Sequence, residues 1–153
     1  MDHGPQCQAG VIIGLAQASS LGFPDFRGER KAGHRMLNLN SVMIGTKQSQ
    51  ALATFYEQVI GRPADMVDQE NGFFGWQVGG AYLSVLEHSE KGGSAKDPGR
   101  VMFNFETSQV KEEFERIKAL GAGVIREPYE MGGGSIATLA DPDGNYFQLV
   151  APM

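Results

Sequence analysis

One order of patterned segments occurs twice between residues 37 and 151 of this 153-residue chain: a strand, a helix, then three short strands. A repeat of that kind points to an α+β fold of two like modules, because each copy has a helix with one apolar stripe and strands with one apolar face to cover. In the first copy Leu39 to Ile44 alternates like a strand, and Thr46 to Ser49 supply hydroxyls suited to capping a helix. Ala51, Leu52, Phe55, Tyr56, Val59 and Ile60 then recur at three- and four-residue spacing until Gly61 and Pro63 stop the helix. Strands are predicted at Ala64 to Gln69, Phe73 to Val78 and Ala81 to Glu87, separated by turns at Glu70-Asn71-Gly72 and Gly79-Gly80.

The second copy repeats this. Val101 to Glu106 reads as a strand, Thr107 or Ser108 can cap, and Val110, Phe114, Ile117 and Leu120 form a helical stripe ended by Gly121. Strands follow at Gly123 to Arg126, Ser135 to Ala140 and Asn145 to Ala151, the last two joined by Asp141-Pro142-Asp143-Gly144, where Pro presets the turn and Gly accepts positive φ. Module 1 therefore covers about residues 38–88 and module 2 about 100–151, with the Lys-, Gly- and Ser-rich stretch 89–99 as linker. Residues 1–36 show no sustained period and read as a loosely ordered leader, either native or a mis-assigned extension, ahead of a domain at 37–153. No Lys or Arg precedes Arg27, which argues against a secretory signal.

Composition removes several function classes. A net charge of −5 disfavours nucleic acid and anionic membranes as partners, and no apolar run approaches the roughly 18 residues that span a bilayer. The single cysteine, Cys7, allows no internal disulfide and no zinc cluster, which suits a cytoplasmic location. There is no GxSxG, phosphate-binding loop or dinucleotide fingerprint, and Gly132-Gly133-Gly134 reads as a flexible loop.

Phe55-Tyr56 followed by Ile60-Gly61, then Ile117 to Gly121, then Asp141-Pro142-Asp143-Gly144-Asn145-Tyr146-Phe147-Gln148-Leu149, resembles the vicinal-oxygen-chelate superfamily of glyoxalases, bleomycin-resistance proteins and dioxygenases. The resemblance covers about residues 38–151. It implies two βαβββ modules whose strands curve into a barrel-like mixed sheet, with helices packed outside and a small molecule held inside.

Strand parity sorts the residues without coordinates. Val101, Phe103 and Phe105 share one face and Met102, Asn104 and Glu106 the other; Phe147 and Leu149 oppose Gln148; Leu83 and Val85 oppose Tyr82 and Ser84; Val42 and Ile44 oppose Ser41 and Met43. The oily faces are assigned to the helices. The mixed faces are assigned to a ligand cleft, against the alternative that they are solvated. Ligand-binding candidates are therefore Ser41, Met43, Tyr82, Ser84, Met102, Asn104, Glu106 and Gln148. Trp76, opposite in parity to Gln77, is expected in the core beside Leu83.

In metal-dependent relatives, four inward His or Glu residues hold a divalent ion; the resemblance carries those positions onto Ser41, Ser84, Met102 and Gln148. Hydroxyl, thioether and amide groups are poor ligands for such ions, so no metal and no cofactor are expected. His3 and His34 lie in the leader, His88 reads as a rim residue, and Glu106 is the one candidate general base. The reading that follows is a metal-free small-molecule binder like the drug-sequestering members, homodimeric by analogy. The alternatives are a glyoxalase-like lyase or dioxygenase with unusual ligands, a metal-independent catalyst built on Glu106 and His88, and an interaction module without a ligand.

Overall fold

The computed structural model describes residues 39–152, so the leader with Cys7, His3 and His34 lies outside the described residues. The expected order is found in both halves: β1 (Ser41–Thr46), α1 (Ser49–Ile60), β2 (Met66–Asp68), β3 (Phe73–Val78) and β4 (Ala81–Glu87), then β5 (Phe103–Glu106), α2 (Val110–Ala119), β6 (Gly123–Met131), β7 (Gly134–Ala140) and β8 (Tyr146–Val150). The strands hydrogen-bond as two four-stranded sheets, ordered β1-β4-β3-β2 and β5-β8-β7-β6, and neither closes into a barrel. In each module the helix returns the chain so that the last strand lies parallel to the first, while the hairpin pairs are antiparallel.

Helix entry differs from the capping expected. The residues before the helices are Gln48 and Gln109, and neither caps with its side chain. The hydroxyls act two residues earlier: Thr46 Oγ1 accepts from the Gln48 N–H at 3.0 Å, and Thr107 Oγ1 from the Gln109 N–H at 3.1 Å. These Thr turns bend the strand into the helix, and their recurrence at matching positions makes them a property of the module. At the other end Gly61 and Gly121 adopt φ of +82° and +93°, the left-handed conformation that releases a helix.

The strand predicted at Gly123 to Arg126 continues to Met131. Pro128 lies within it because β6 is an edge strand, where a missing N–H is tolerated, and the register shifts on either side of Arg126 absorb the irregularity. Gly132 and Gly133, both at positive φ, form the tight turn into β7 rather than a flexible loop.

Helical stripes and oily strand faces meet as the parity argument requires, except that Ala51 and Val42 are exposed and Val101, expected in the core, precedes β5 and stands in solvent. Leu52, Ala53, Phe55, Tyr56 and Val59 of α1 and Val110, Phe114 and Ile117 of α2 are buried with Phe74, Trp76, Leu83, Val85, Ala137, Leu139, Phe147 and Leu149. Trp76 pairs with Leu83, fully buried as expected. The core is shared between modules, because Tyr56 packs its ring against Phe103 and Phe147 of the second sheet as well as Trp76 of its own.

Polar contacts fix how the modules join. The Tyr56 hydroxyl donates to Asp141 Oδ2 at 2.9 Å, and the same carboxylate accepts from the backbone N–H groups of Asp143 and Asn145 and from the Asn145 amide. Gln48 donates to Asp143. Arg116 of α2 donates to the carbonyls of Gln58 and Val59, each at 2.7 Å, satisfying oxygens that α1 leaves open at its end, while Glu113 holds the guanidinium from the other side. Each module thus completes hydrogen bonds that the other cannot make alone.

Burial, aided by the Asp141 charge, pushes the Tyr56 phenol well above its ordinary value of 10.0. Burial also raises Asp141, outweighing the hydrogen bonds it accepts. Replacing Tyr56 by Phe is expected to cost about 1–3 kcal/mol in equilibrium urea unfolding, since it leaves the Asp141 carboxylate short of a buried donor. Above pH 10 the unfolded chain releases the tyrosine proton that the folded chain keeps, so wild-type stability falls as pH rises and Tyr56→Phe lacks that part of the fall.

Candidate functional site

With both oily faces consumed by the helices, the opposite faces of the two sheets carry the candidate residues, and register shows which of them are neighbours. On the first sheet Ser41 stands opposite Tyr82 and Met43 opposite Ser84, while Tyr82 and Ser84 stand opposite Gln77 and Gly75 of β3. On the second, Asn104 stands opposite Gln148 and Glu106 opposite Val150, with Gln148 next to Thr138 and Thr138 next to Arg126. Met102 precedes β5 by one residue and continues the parity of Asn104.

The eight residues therefore form two groups of four, one per sheet. Ser41 and Met43 of β1, and Met102, Asn104 and Glu106 at β5, are exposed, Met43 at 52% and Met102 at 41%. These faces are open surface rather than closed cavities. A cavity of about 230 Å³ is lined by Gly45, residues of the linker, Asp143 and Asn145; one of about 170 Å³ lies near the end of α1 and takes in Glu106 alone of the eight. His88 follows β4, its N–H bonded to the Thr46 carbonyl and its Nδ1 accepting from the Glu90 N–H, so its ring serves the start of the linker.

Neighbouring small and large residues shape the first sheet's face. Gly75 has no side chain, and the Tyr82 ring lies in the space a Cβ would fill. The tyrosine thus leans across the sheet instead of standing away from it, and Ser84 beside it is only 4% exposed. Burial pushes the Tyr82 phenol above its ordinary value, and the Asp65 charge adds to the rise. Met43 and Tyr82 provide an apolar wall with little polar content, while the Ser84 hydroxyl is largely covered.

The second sheet is more polar. Asn104, Gln148, Thr138 and Arg126 form one registered row across all four strands, about 14 Å long at the usual interstrand spacing of about 4.8 Å. Within it the Gln148 amide donates to Thr138 Oγ1 at 3.1 Å, and Arg126 stacks on Tyr129 with its guanidinium carbon 3.8 Å from the ring centroid. Sequence reasoning missed Thr138, Arg126 and Tyr129. Parity within β7 would have found Thr138, but the early end assigned to β6 removed Tyr129, and the register shifts beside Arg126 have no signature beyond Pro128.

The four positions at which the resemblance places metal ligands offer two hydroxyls, a thioether and an amide: Ser41, Ser84, Met102 and Gln148. Among the described residues no three His, Cys, Asp or Glu side chains lie close enough to share an ion. Ser84 is covered, and the Gln148 amide nitrogen is engaged by Thr138, so this donor set does not fit a divalent cation.

Comparison with known proteins places this geometry. Residues 41–150 match the family model described as a glyoxalase-like domain. A structure of a glyoxalase/bleomycin resistance protein/dioxygenase family enzyme from Burkholderia phytofirmans PsJN is similar at 25% identity and a TM-score of 0.61, covering 76% of this chain and 100% of that one. A glyoxalase-related enzyme from Fulvimarina pelagi shares the fold at 20% identity and a TM-score of 0.64, covering 76% and 89%. A lactoylglutathione lyase from Agrobacterium tumefaciens does so at 18% identity and 0.59, covering 77% and 96%. No curated protein matches significantly. Among the described residues no helix is long and apolar enough to cross a membrane.

Gly75→Ala is expected to displace the Tyr82 ring and to destabilise the fold by about 1–3 kcal/mol through overpacking. The double variant Gly75→Ala/Tyr82→Ala should regain part of that loss relative to the sum of the single changes, measured by chemical denaturation as a double-mutant cycle.

Proposed function

We propose that this chain, which belongs to the glyoxalase-like domain family of the vicinal-oxygen-chelate superfamily, binds a small organic molecule on the open mixed faces of its sheets without a resident metal. Two observations support the reading: Ser41, Met43, Met102, Asn104 and Glu106, on the faces that the resemblance assigns to a ligand, are exposed, and the positions where an ion would be held bear groups with little affinity for one. Met43 and Met102 supply adaptable apolar surface; Ser41, Asn104 and Gln148 supply hydrogen-bonding groups. In this reading the protein sequesters its ligand as drug-binding members do, works in the cytoplasm, and needs no cofactor.

A homodimer fits the same surface. Leu39 and Met43 at β1 and Met102 before β5 are exposed apolar residues on these faces, beside strands that lie at the edge of their sheets. A second copy would cover them and turn an open face into a walled one.

A glyoxalase-type lyase is the second reading, favoured by relatives of the same fold that are named as enzymes. In that reading Glu106, exposed at the end of β5, is the candidate general base. Two measurements separate the readings. Protein equilibrated with Zn²⁺, Ni²⁺ or Mn²⁺ and then dialysed is expected to retain far less than one ion per chain by elemental analysis, unchanged by Gln148→Ala; one retained ion that Gln148→Ala releases establishes the enzyme reading instead. A thermal-shift screen of metabolites and antibiotics is expected to return ligands that raise the melting temperature, by an increment that grows with concentration above Kd.

A further inference from the structure

Resting on the reading that the open face of the second sheet holds a small molecule, we propose that Arg126 sets the chemical class of that molecule. The ligand carries a carboxylate, which Arg126 receives at the β6 end of the Asn104–Gln148–Thr138–Arg126 row.

Three features of the chain converge on this residue. The first is its placement. Arg126 sits between two register shifts in β6, yet remains in register with Thr138, so the irregular stretch presents its side chain on the face where Gln148 and Thr138 are bonded. Bulges re-aim side chains in this way at functional edges of sheets.

The second is how the guanidinium is held. Arg62 spends its donors on Asp65 and the Gln77 carbonyl, and Arg116 spends its own on Glu113 and the end of α1. Arg126 makes no hydrogen bond or ion pair among the described residues, and instead stacks on the Tyr129 ring. A guanidinium stacked on a ring is limited in its rotamers but keeps its in-plane N–H groups, the fork that matches the two oxygens of a carboxylate.

The third is the charge around it. Glu106, the acidic residue on the same face, belongs to the adjacent row and lies at the opposite edge of the sheet, about 14 Å away by strand spacing. Glu130 is in register with Ser135, which has the parity of the buried Ala137 and Leu139, so it belongs to the other face. Glu127, next to Arg126, falls between the register shifts with no registered partner in β7, so Arg126 is the cation that β6 adds to the row in a protein whose net charge is −5. An anion is recognised by this local group and not by the overall field. Gln148, about 10 Å along the row, would read a hydroxyl or amide on the rest of the ligand, while Thr138, buried at 5% exposure, holds the Gln148 amide in place.

The test uses the full chain and a panel of small carboxylic acids, each paired with its primary amide, beginning with 4-hydroxyphenylacetate and 4-hydroxyphenylacetamide. Binding is followed by amide chemical shifts at millimolar ligand. Acids are expected to move the resonances of Arg126, Thr138 and Gln148 and to bind about tenfold more tightly than their amides. Arg126→Gln should erase that preference and Arg126→Lys should keep part of it. Both variants should melt close to the wild type, because Arg126 is exposed and no partner is left behind. Amides that bind this face as well as acids, or an acid preference that survives Arg126→Gln, overturn the carboxylate assignment while leaving small-molecule binding intact. A panel in which neither acids nor amides move the residues of either open face overturns both.

Discussion

Tyr56 is the residue on which the joined structure depends. Its ring is fully buried against Trp76 of its own module and Phe103 and Phe147 of the other, and its hydroxyl ends on Asp141. Aromatic contacts supply apolar burial in any direction, but the single hydroxyl has one partner at one distance, so it selects one placement of α1 over the second sheet. Asp141 in turn organises the turn between β7 and β8, accepting from Asp143 and Asn145, so the contact that joins the modules also shapes the start of the strand that carries Gln148. Removing the phenol oxygen would leave a buried charge under-satisfied, which costs more than the hydrogen bond itself contributes.

That arrangement decides where chemistry can occur. Because both helices and both oily sheet faces are spent on one core, Ser41, Met43, Met102, Asn104 and Glu106 on the opposite faces are exposed among the described residues, while Ser84 and Thr138 between them are covered. They differ in character. The first offers Met43 and a Tyr82 ring laid over Gly75; the second offers a bonded amide–hydroxyl pair and a stacked guanidinium. A ligand that used both would meet an apolar wall and a polar one, a division common in pockets that orient a molecule by a few groups and hold it by area.

The same logic shows how, in the metal-free reading proposed above, the positions that the resemblance assigns to metal ligands could change without loss of the fold. The four residues there lie on the face away from the core, where Ser84 and Gln148 answer only to their strand neighbours. At the exposed Ser41 and Met102 a neutral group leaves no buried charge unpaired and no cavity behind, and at the covered Ser84 a small hydroxyl avoids burying a charge without a partner. Family membership and metal chemistry are therefore separable in this architecture: the βαβββ frame is set by the oily faces, and the chemistry by the residues opposite them.

Much of this was legible in the linear chain. Period-two alternation put Phe103, Phe105, Phe147 and Trp76 on the helix side, and the glycines after Ile60 and Leu120 marked both helix ends, because local sterics and burial act within a few residues. What only the tertiary structure decided depends on partners distant in the chain. The Tyr56–Asp141 bond spans 85 positions and the Arg116 contact with Gln58 spans 58, and neither leaves a periodic trace. The extension of β6 past Pro128 followed from its place at the sheet edge, and the row ending at Arg126 from registers that turns and bulges set. A pattern repeating every two or three to four residues tells which way a side chain faces. Which side chain it meets is settled only when segments far apart in sequence compete for the same buried surface.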